Sequence, residues 1–381
     1  MEYKHLGDYI REVNVRNREL KVTNLLGVSI SKEFMPSIAN TIGTDMSAYK
    51  IVERGQFAYG PVTSRNGDKV SIALLDGYDD AIISQAYTVF EVIDHEQLLP
   101  EYLMMWFRRP EFDRYARFHS HGSAREIFDW DELCDVMLPI PSITRQREIV
   151  SEYETLTNRI RLNNQMIQHL EATAQALYRK TFVDNIDKEN LPEGWRIGSI
   201  EDLSEFVVAG VIPNYSEEET YKVLGQRCVH DHTIDLDFAK THFPKPNCLY
   251  LKDGDILINS TGSGTLGRVG QLFNAPKELA FDSNMTLVRP KNDFAIDYLG
   301  YTVINQEDYF VQISQGSTNQ TRLYCSMVKP VEIIIPSDDI LKNYKYYARP
   351  MRLAIEYRKS ENSKLCELQS LLLAKMGNLK Q

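Results

Sequence analysis

Three glycines carry the most explicit chemical signature in this 381-residue chain. After the apolar run GDILI, the stretch NSTGSGTLGRVG (259–270) spells Gly262-x-Gly264-x-x-Gly267, and Asp282 follows Gly262 at the spacing of a ribose-binding acid. In a dinucleotide-binding loop such glycines let the backbone approach a pyrophosphate, which sits on the N-terminus of the helix that the loop opens. Here Val269, Gln271 and Phe273 alternate with Gly270 and Leu272, and Pro276 follows. That is a strand pattern, so the loop is expected to join two strands. The phosphate loop GxxxxGK[ST] fails as well, because Arg268-Val269 stands where Lys-Ser/Thr is needed.

Other reactive residues lack company. Cys228, His230 and His232 fall within five residues, but no second ligand pair with zinc-like spacing lies near them. His119 and His121 precede Gly122-Ser123 without the Gly-x-Ser-x-Gly elbow of a nucleophilic serine. IPNY (212–215) lacks the double proline of the Asn-Pro-Pro-Tyr motif of amino-methyltransferases and has no companion cofactor loop. No catalytic residue and no metal site is expected. A self-contained nucleotide- or S-adenosylmethionine-binding enzyme is the alternative reading.

Two polar loops offer a different chemistry. One holds Ser64, Arg65 and Lys69, answered further along by Ser260, Thr261, Ser263, Thr265 and Arg268. The other holds Ser123 and Arg125, answered by Ser317, Asn319, Gln320 and Arg322. Hydroxyls, backbone amides and Arg/Lys suit phosphate oxygens, and Arg, Asn and Gln can read base edges in the major groove. With Gln226 and Arg227 these residues form the expected DNA-contact set.

The elements that would position them come in two copies. LLGVSI (25–30) matches VLGQRC (223–228). ERGQFAYGPVTSRNGDKVSIAL (53–74) matches KDGDILINSTGSGTLGRVGQLF (252–273), which pairs Lys69 with Arg268. SQAYTVF, YLMMWFRRPEFDRY, HGSAREI and LPIPS are answered in the same order by SNMTLV, YLGYTVINQEDYF, QGSTNQT and IIIPS, at offsets of 194–200 residues. Such self-similarity implies a duplicated architecture. Each copy mixes short strands with amphipathic helices outside any βαβ alternation, so the expected class is α+β.

Each Pro-Ser opens a long helical segment. Ile149, Tyr153, Leu156, Ile160, Asn163, Ile167 and Leu170 step by alternating fours and threes, a coiled-coil seam in which the polar Asn163 could fix register. The second segment keeps Leu365, Leu368 and Leu372 on that spacing, with Pro350 expected to kink or restart it. Two such helices are expected to pair antiparallel, as a rod of about 50–60 Å. The expected divisions are 1–142 and 186–337 for the two domains, and 143–185 and 338–381 for the helices. DNIDKENLPEGW (184–195) reads as the linker into the second copy.

Bulk properties agree. The formal net charge of −10 divides into −7, +1, −8 and +4 over the blocks 1–142, 143–185, 186–337 and 338–381. That balance limits how much phosphate the isolated chain can neutralise. Five scattered cysteines suit reduced thiols in a cytoplasm. No apolar run is long enough to span a membrane and no secretory signal opens the chain.

Two α+β copies, each ending in Pro-x-Pro-Ser or a relic of it (LPIPSITRQREIV, IIIPSDDILKNY) and followed by a long helix, resemble the specificity subunit of a type I restriction-modification enzyme over essentially the whole chain. The resemblance implies two similar target-recognition domains separated by two long antiparallel helices in a pseudo-twofold repeat. Each domain would read half of a bipartite, asymmetric double-stranded DNA target. It also implies two methylation subunits that carry S-adenosylmethionine, and a restriction subunit, as partners. Half-sites about one helical turn apart, ~34–36 Å, would fit the rod.

Overall fold

The computed structural model describes residues 3–37, 43–64, 67, 69–122, 126–184, 186–244, 248–316 and 321–377. The chain forms two compact units, Met1–Arg161 with Asn362–Gln381, and Leu162–Glu361, so the division falls inside both long helices rather than at their ends.

In the first unit, Tyr3–His5 pairs antiparallel with Met137–Pro139, which joins the start of the chain to the segment leading into the long helix. A four-stranded antiparallel sheet runs Ile10–Val13, Thr88–Val92, Phe57–Tyr59, Ile72–Leu74. Phe57 and Phe90 stack at 4.8 Å across two of its strands, and Phe107 meets both edge-on. Phe107 ends the helix Pro100–Phe107, which is buried almost throughout, and the amphipathic helix Pro110–Phe118 follows it. Proline opens both helices, where its missing N–H costs nothing.

The second unit repeats this plan. Arg196–Ser199 pairs with Glu332–Ile335. Its sheet runs Ser204–Ala209, Met285–Pro290, Ile256–Asn259, Val269–Gln271, again all antiparallel. Helices Ile296–Ile304 and Glu307–Ile313 follow as their counterparts do in the first unit. Lys222–Leu224 with Lys240–Thr241 stands where the first unit has Leu26–Val28 with Phe34–Pro36, and a further hairpin, Val229–His230 with Thr233–Ile234, is inserted between its two strands.

The long helices are Ile143–Phe182 and Asp338–Met376. Along the first, Ile149, Tyr153, Asn163 and Ile167 are buried and Leu156, Ile160 and Leu170 half-buried, while the residues between them are mostly exposed. Within the first unit Gln369 donates to the Thr157 hydroxyl at 2.7 Å, and Leu373 and Met376 share a core with Ile149, Val150 and Tyr153. Within the second, Asn163 donates to Glu361 at 2.8 Å and Phe182 meets Tyr344 edge-on at 4.8 Å. Partners later in one helix lie earlier in the other, so the pairing is antiparallel in each unit.

Two expectations for the second helix are corrected. Leu368 is 48 % exposed, because the seam steps from Leu365 to Gln369 and then to Leu372. Pro350 does not end the helix, which runs through it without interruption. The carbonyl that loses its donor there is that of Tyr346, on the exposed side, where water can satisfy it. Arg349 beside it is held by the buried Asp297 and by Asp293, at 2.9 and 3.1 Å.

Gln146, four residues after Ser142 in the first copy, is replaced by Leu341 at the same place after Ser337 in the second, and the difference has a physical account. Gln146 is fully buried, accepts from the Leu99 amide at 2.9 Å, and donates to the carbonyls of Gln97 and Pro141 at 2.8 and 2.9 Å. Leu99 is the N-cap of the first buried helix. Its counterpart, Ala295, donates instead to the Asn292 side chain at 3.0 Å. With that amide satisfied locally, the glutamine's place is taken by Leu341, fully buried in the core.

Candidate nucleic-acid interface

Each unit brings together two polar loops that are far apart in sequence. In the second unit the turn 259–268 joins two strands of the sheet. The Leu323 amide donates to Ser260 O at 2.9 Å, and Gln315 and Arg322 exchange backbone hydrogen bonds at the base of the other loop. In the first unit the Thr63 amide donates to Glu126 O at 3.0 Å and Phe128 to Pro61 O at 2.9 Å, while His121 and Ile127 exchange bonds. The Thr63 hydroxyl adds a bond to Ser120 at 3.0 Å. Strand ends therefore fix the roots of both loops, and the described tip of the glycine turn, Ser263-Gly264, is exposed.

The glycine turn is closed by its own bonds. Leu266 and Thr265 amides donate to Gly262 O, Gly267 to Asn259 O and Arg268 to Thr265 O. Gly262, Gly264 and Gly267 have φ of +104, +74 and +83°, the left-handed region open to glycine. A Cβ on Gly267 would sit 2.9 Å from Val311 Cγ2 and 3.0 Å from Glu307 O. The neighbour demanding that glycine is the helix Glu307–Ile313, not a ligand. Gly264 alone of the three faces open space. The turn runs into the strand Val269–Gln271, so no helix N-terminus awaits a pyrophosphate. Asp282 is buried and accepts the Asn284 amide at 2.8 Å; burial pushes its carboxyl up.

Among the expected contact residues, Ser263, Arg268 and Arg227 are exposed, as are Ser64 and Lys69 in the first unit. Ser260 is corrected: it is 2 % exposed and its hydroxyl is taken by Thr286 at 2.7 Å. Thr261 and Gln226 are half-buried and hold each other, with Gln226 Nε2 donating to the Thr261 hydroxyl at 2.6 Å and to its carbonyl. Thr265 donates to Thr261 O at 3.3 Å. These four shape the turn rather than point from it. Arg322 spends one nitrogen on Ser283 O at 2.9 Å and lies against Tyr324, leaving the rest of its guanidinium fork. Arg65, Ser123, Arg125, Ser317, Asn319 and Gln320 lie outside the described residues.

A feature missed in the sequence links the loops to the helices. The Val269 amide, next to Arg268, donates to the Glu307 carboxylate at 2.5 Å, and His232 pairs with the same oxygen at 3.2 Å. That hydrogen bond raises the His232 imidazole above its ordinary range, against the effect of burial. In the first unit the Val70 amide, next to Lys69, donates to Asp113 at 3.1 Å, and Lys32 pairs with Asp113 at 2.8 Å. Lys32 and His232 both have positive φ at hairpin tips. His232, read in the sequence as a stray ligand, is thus the counterpart of Lys32; only the three-dimensional pairing reveals it, since the residue types differ. The strand register alone would align Arg268 with Ser71, because Asn259 bonds Arg268 O where Gly60 bonds Ser71 O. The capped amide aligns it with Lys69, and the first loop places its two extra residues beyond that amide.

Among the described residues no cluster could hold a metal ion, and no helix is long and apolar enough to cross a membrane. Residues 192–343 match the family model of the type I restriction modification DNA specificity domain. The chain is 19% identical to the type I restriction enzyme HindI specificity subunit of Haemophilus influenzae, over 98% of both sequences. The crystal structure of the type I restriction-modification S subunit from M. genitalium superposes with a TM-score of 0.61 at 13% identity, covering 98% of this chain and 95% of that one.

Proposed function

We propose that this chain, a member of the type I restriction-modification specificity-subunit family, reads a bipartite, asymmetric duplex target with one half-site per unit. The observation that carries the reading is the convergence, in each unit, of two polar loops on the ends of one antiparallel sheet. A duplicated scaffold with divergent loop tips is what recognition of two different half-sites requires. Ser64, Lys69, Arg227, Ser263, Arg268 and Arg322 are the described contacts under this proposal. Phosphate contacts would fix register and only some of these side chains would meet base edges.

The protein has a recognition role and contributes no catalytic group. Methylation subunits carrying S-adenosylmethionine, two per chain, would dock on the paired helices, and a restriction subunit would supply cleavage in the cytoplasm. With a net charge of −10, the chain alone would bind DNA weakly and gain affinity once partners share the phosphate contacts.

The test is methylome sequencing of a host that carries the methylation subunit with and without this chain. An interrupted motif that appears only with the chain is the expected outcome. Its absence from an assembled, soluble complex would refute the proposal.

A further inference from the structure

We infer that Phe118 is a DNA wedge, a residue that inserts its ring against a base step in the half-site of the first unit. The inference rests on the reading that the Lys69 loop meets DNA. Phe118 is 81 % exposed at the end of the helix Pro110–Phe118, whose other face buries Phe112 and Ala116. An exposed phenylalanine of this kind forgoes burial that its neighbours take. It is also held. His119 meets it edge-on at 5.2 Å, stacks on Tyr115 at 4.2 Å, and is fixed by Glu132 at 3.0 Å; Tyr115 in turn meets the buried Phe128 edge-on. A ring braced in this way loses little freedom on insertion.

Its surroundings choose the partner. Phe118 lines a groove of about 530 Å³ with Lys69, Arg114 and Arg117. The one carboxylate in that lining among the described residues, Asp113, is paired with Lys32. Glu111 and Glu126 lie beside Arg114 and Arg117, at 3.3 and 2.6 Å, and Lys69 has no carboxylate partner among the described residues. Among the described residues, Lys32, Lys69, Arg114 and Arg117 therefore outnumber Asp113, Glu111 and Glu126. Protein–protein interface cores are depleted of charge, whereas proteins that kink DNA combine Arg and Lys with an apolar side chain inserted between bases. At the offset that pairs Asp113 with Glu307, the counterpart of Phe118 in the second unit is the polar Gln312, so the wedge belongs to one half-site only.

The test uses the chain assembled with its methylation subunits and a duplex carrying the motif, with 2-aminopurine placed at successive steps of each half-site. Insertion would raise its emission at one step in one half-site. Phe118→Ala would abolish that signal and weaken binding roughly 10-fold, the scale of one base–aromatic contact, without changing the salt slope. Phe118→Leu would retain part of both effects, since leucine also wedges. Unchanged emission and affinity in Phe118→Ala would overturn the inference. So would failure of that variant to assemble with the methylation subunits without DNA, which would make Phe118 a protein contact. If the wild-type assembly yields no interrupted motif, it is the proposed function that fails instead.

Discussion

Gln146→Leu is expected to destabilise the first unit by about 2 kcal/mol, although leucine occupies the equivalent place in the second. The substitution removes three hydrogen bonds from a fully buried side chain, at about 1 kcal/mol net each. Greater apolar burial returns about 1 kcal/mol. The dominant loss is the Leu99 amide at the helix N-cap, because the carbonyls of Gln97 and Pro141 tolerate losing a donor better than an N–H tolerates losing its acceptor. The second unit avoids the loss through Asn292, and the position equivalent to Asn292 is Glu96, three residues before the N-cap. Adding Glu96→Asn should therefore restore about half of the stability, at little cost, because the Glu96–Arg147 pair is exposed and 3.5 Å long. Calorimetry of the full chain should show the first unit's transition fall by roughly 4–8 °C in the single variant and recover partly in the double. Amide exchange at Leu99 should rise and fall in step. A Gln146→Leu protein as stable as the parent, or a double variant no better than the single, would refute the assignment of the deficit to that amide.

Arg268→Gln should weaken DNA binding by the assembled complex and lower the slope of log K against log salt by about 0.9, the signature of one lost phosphate contact. Ser260→Ala should leave that slope alone while lowering stability by about 1 kcal/mol, because its hydroxyl serves Thr286 rather than solvent. Gly267→Ala should cost more than Gly264→Ala in urea unfolding: both incur the left-handed penalty of about 1 kcal/mol, but only the first drives a methyl into Val311 and Glu307. The His232 imidazole is raised in the folded state by Glu307, so its stabilising contribution is complete below its unfolded value and declines as pH rises through the higher folded one. Amide exchange across 229–234 and at Val269 should accelerate over that upper window, and His232→Gln should flatten the dependence. No pH dependence in the parent would show that the pair does not hold the hairpin.

Much of the scaffold was legible because it rests on periodicity and duplication. The alternating steps from Ile149 to Leu170 located the seam residue by residue, since only that stripe can face a partner helix. In the second seam, apolar type favours Leu368 over an equivalent spacing, yet the polar Gln369 occupies the seam and satisfies its amide on Thr157. Pro350 looked like a break because propensity counts a lost hydrogen bond as unpaid, whereas water and the Arg349–Asp297 pair accommodate it here. For the candidate site, the sequence reveals which loops are equivalent but not how their atoms are oriented. Ser260, Thr261 and Gln226 have the residue types of DNA contacts, yet their polar atoms are consumed inside the protein, and a sequence does not say which hydroxyls face inward.

The difference between the units is more informative about function than their likeness. Both end the first loop on an amide capped by a carboxylate, and both hold that carboxylate with a cation at a hairpin tip. A device retained through a change from Lys32–Asp113 to His232–Glu307 is constrained by geometry rather than residue identity: the loop's exit must be pinned while its tip varies. Pinning matters for a reader of sequence because a contact worth ~1–3 kcal/mol of base discrimination is lost if its backbone can shift to suit the wrong base. The charge of each pin differs in its dependence on pH. Burial lowers the Lys32 ammonium and the hydrogen bond to Glu307 raises the His232 imidazole, but a lysine starts from a far higher ordinary value than a histidine. If the loops are the readers, raising the pH should relax discrimination in the second half-site before the first. Methylation of single-mismatch duplexes measured across pH would show this as an asymmetric loss of fidelity, and a symmetric loss would detach the carboxylate pins from the reading of sequence.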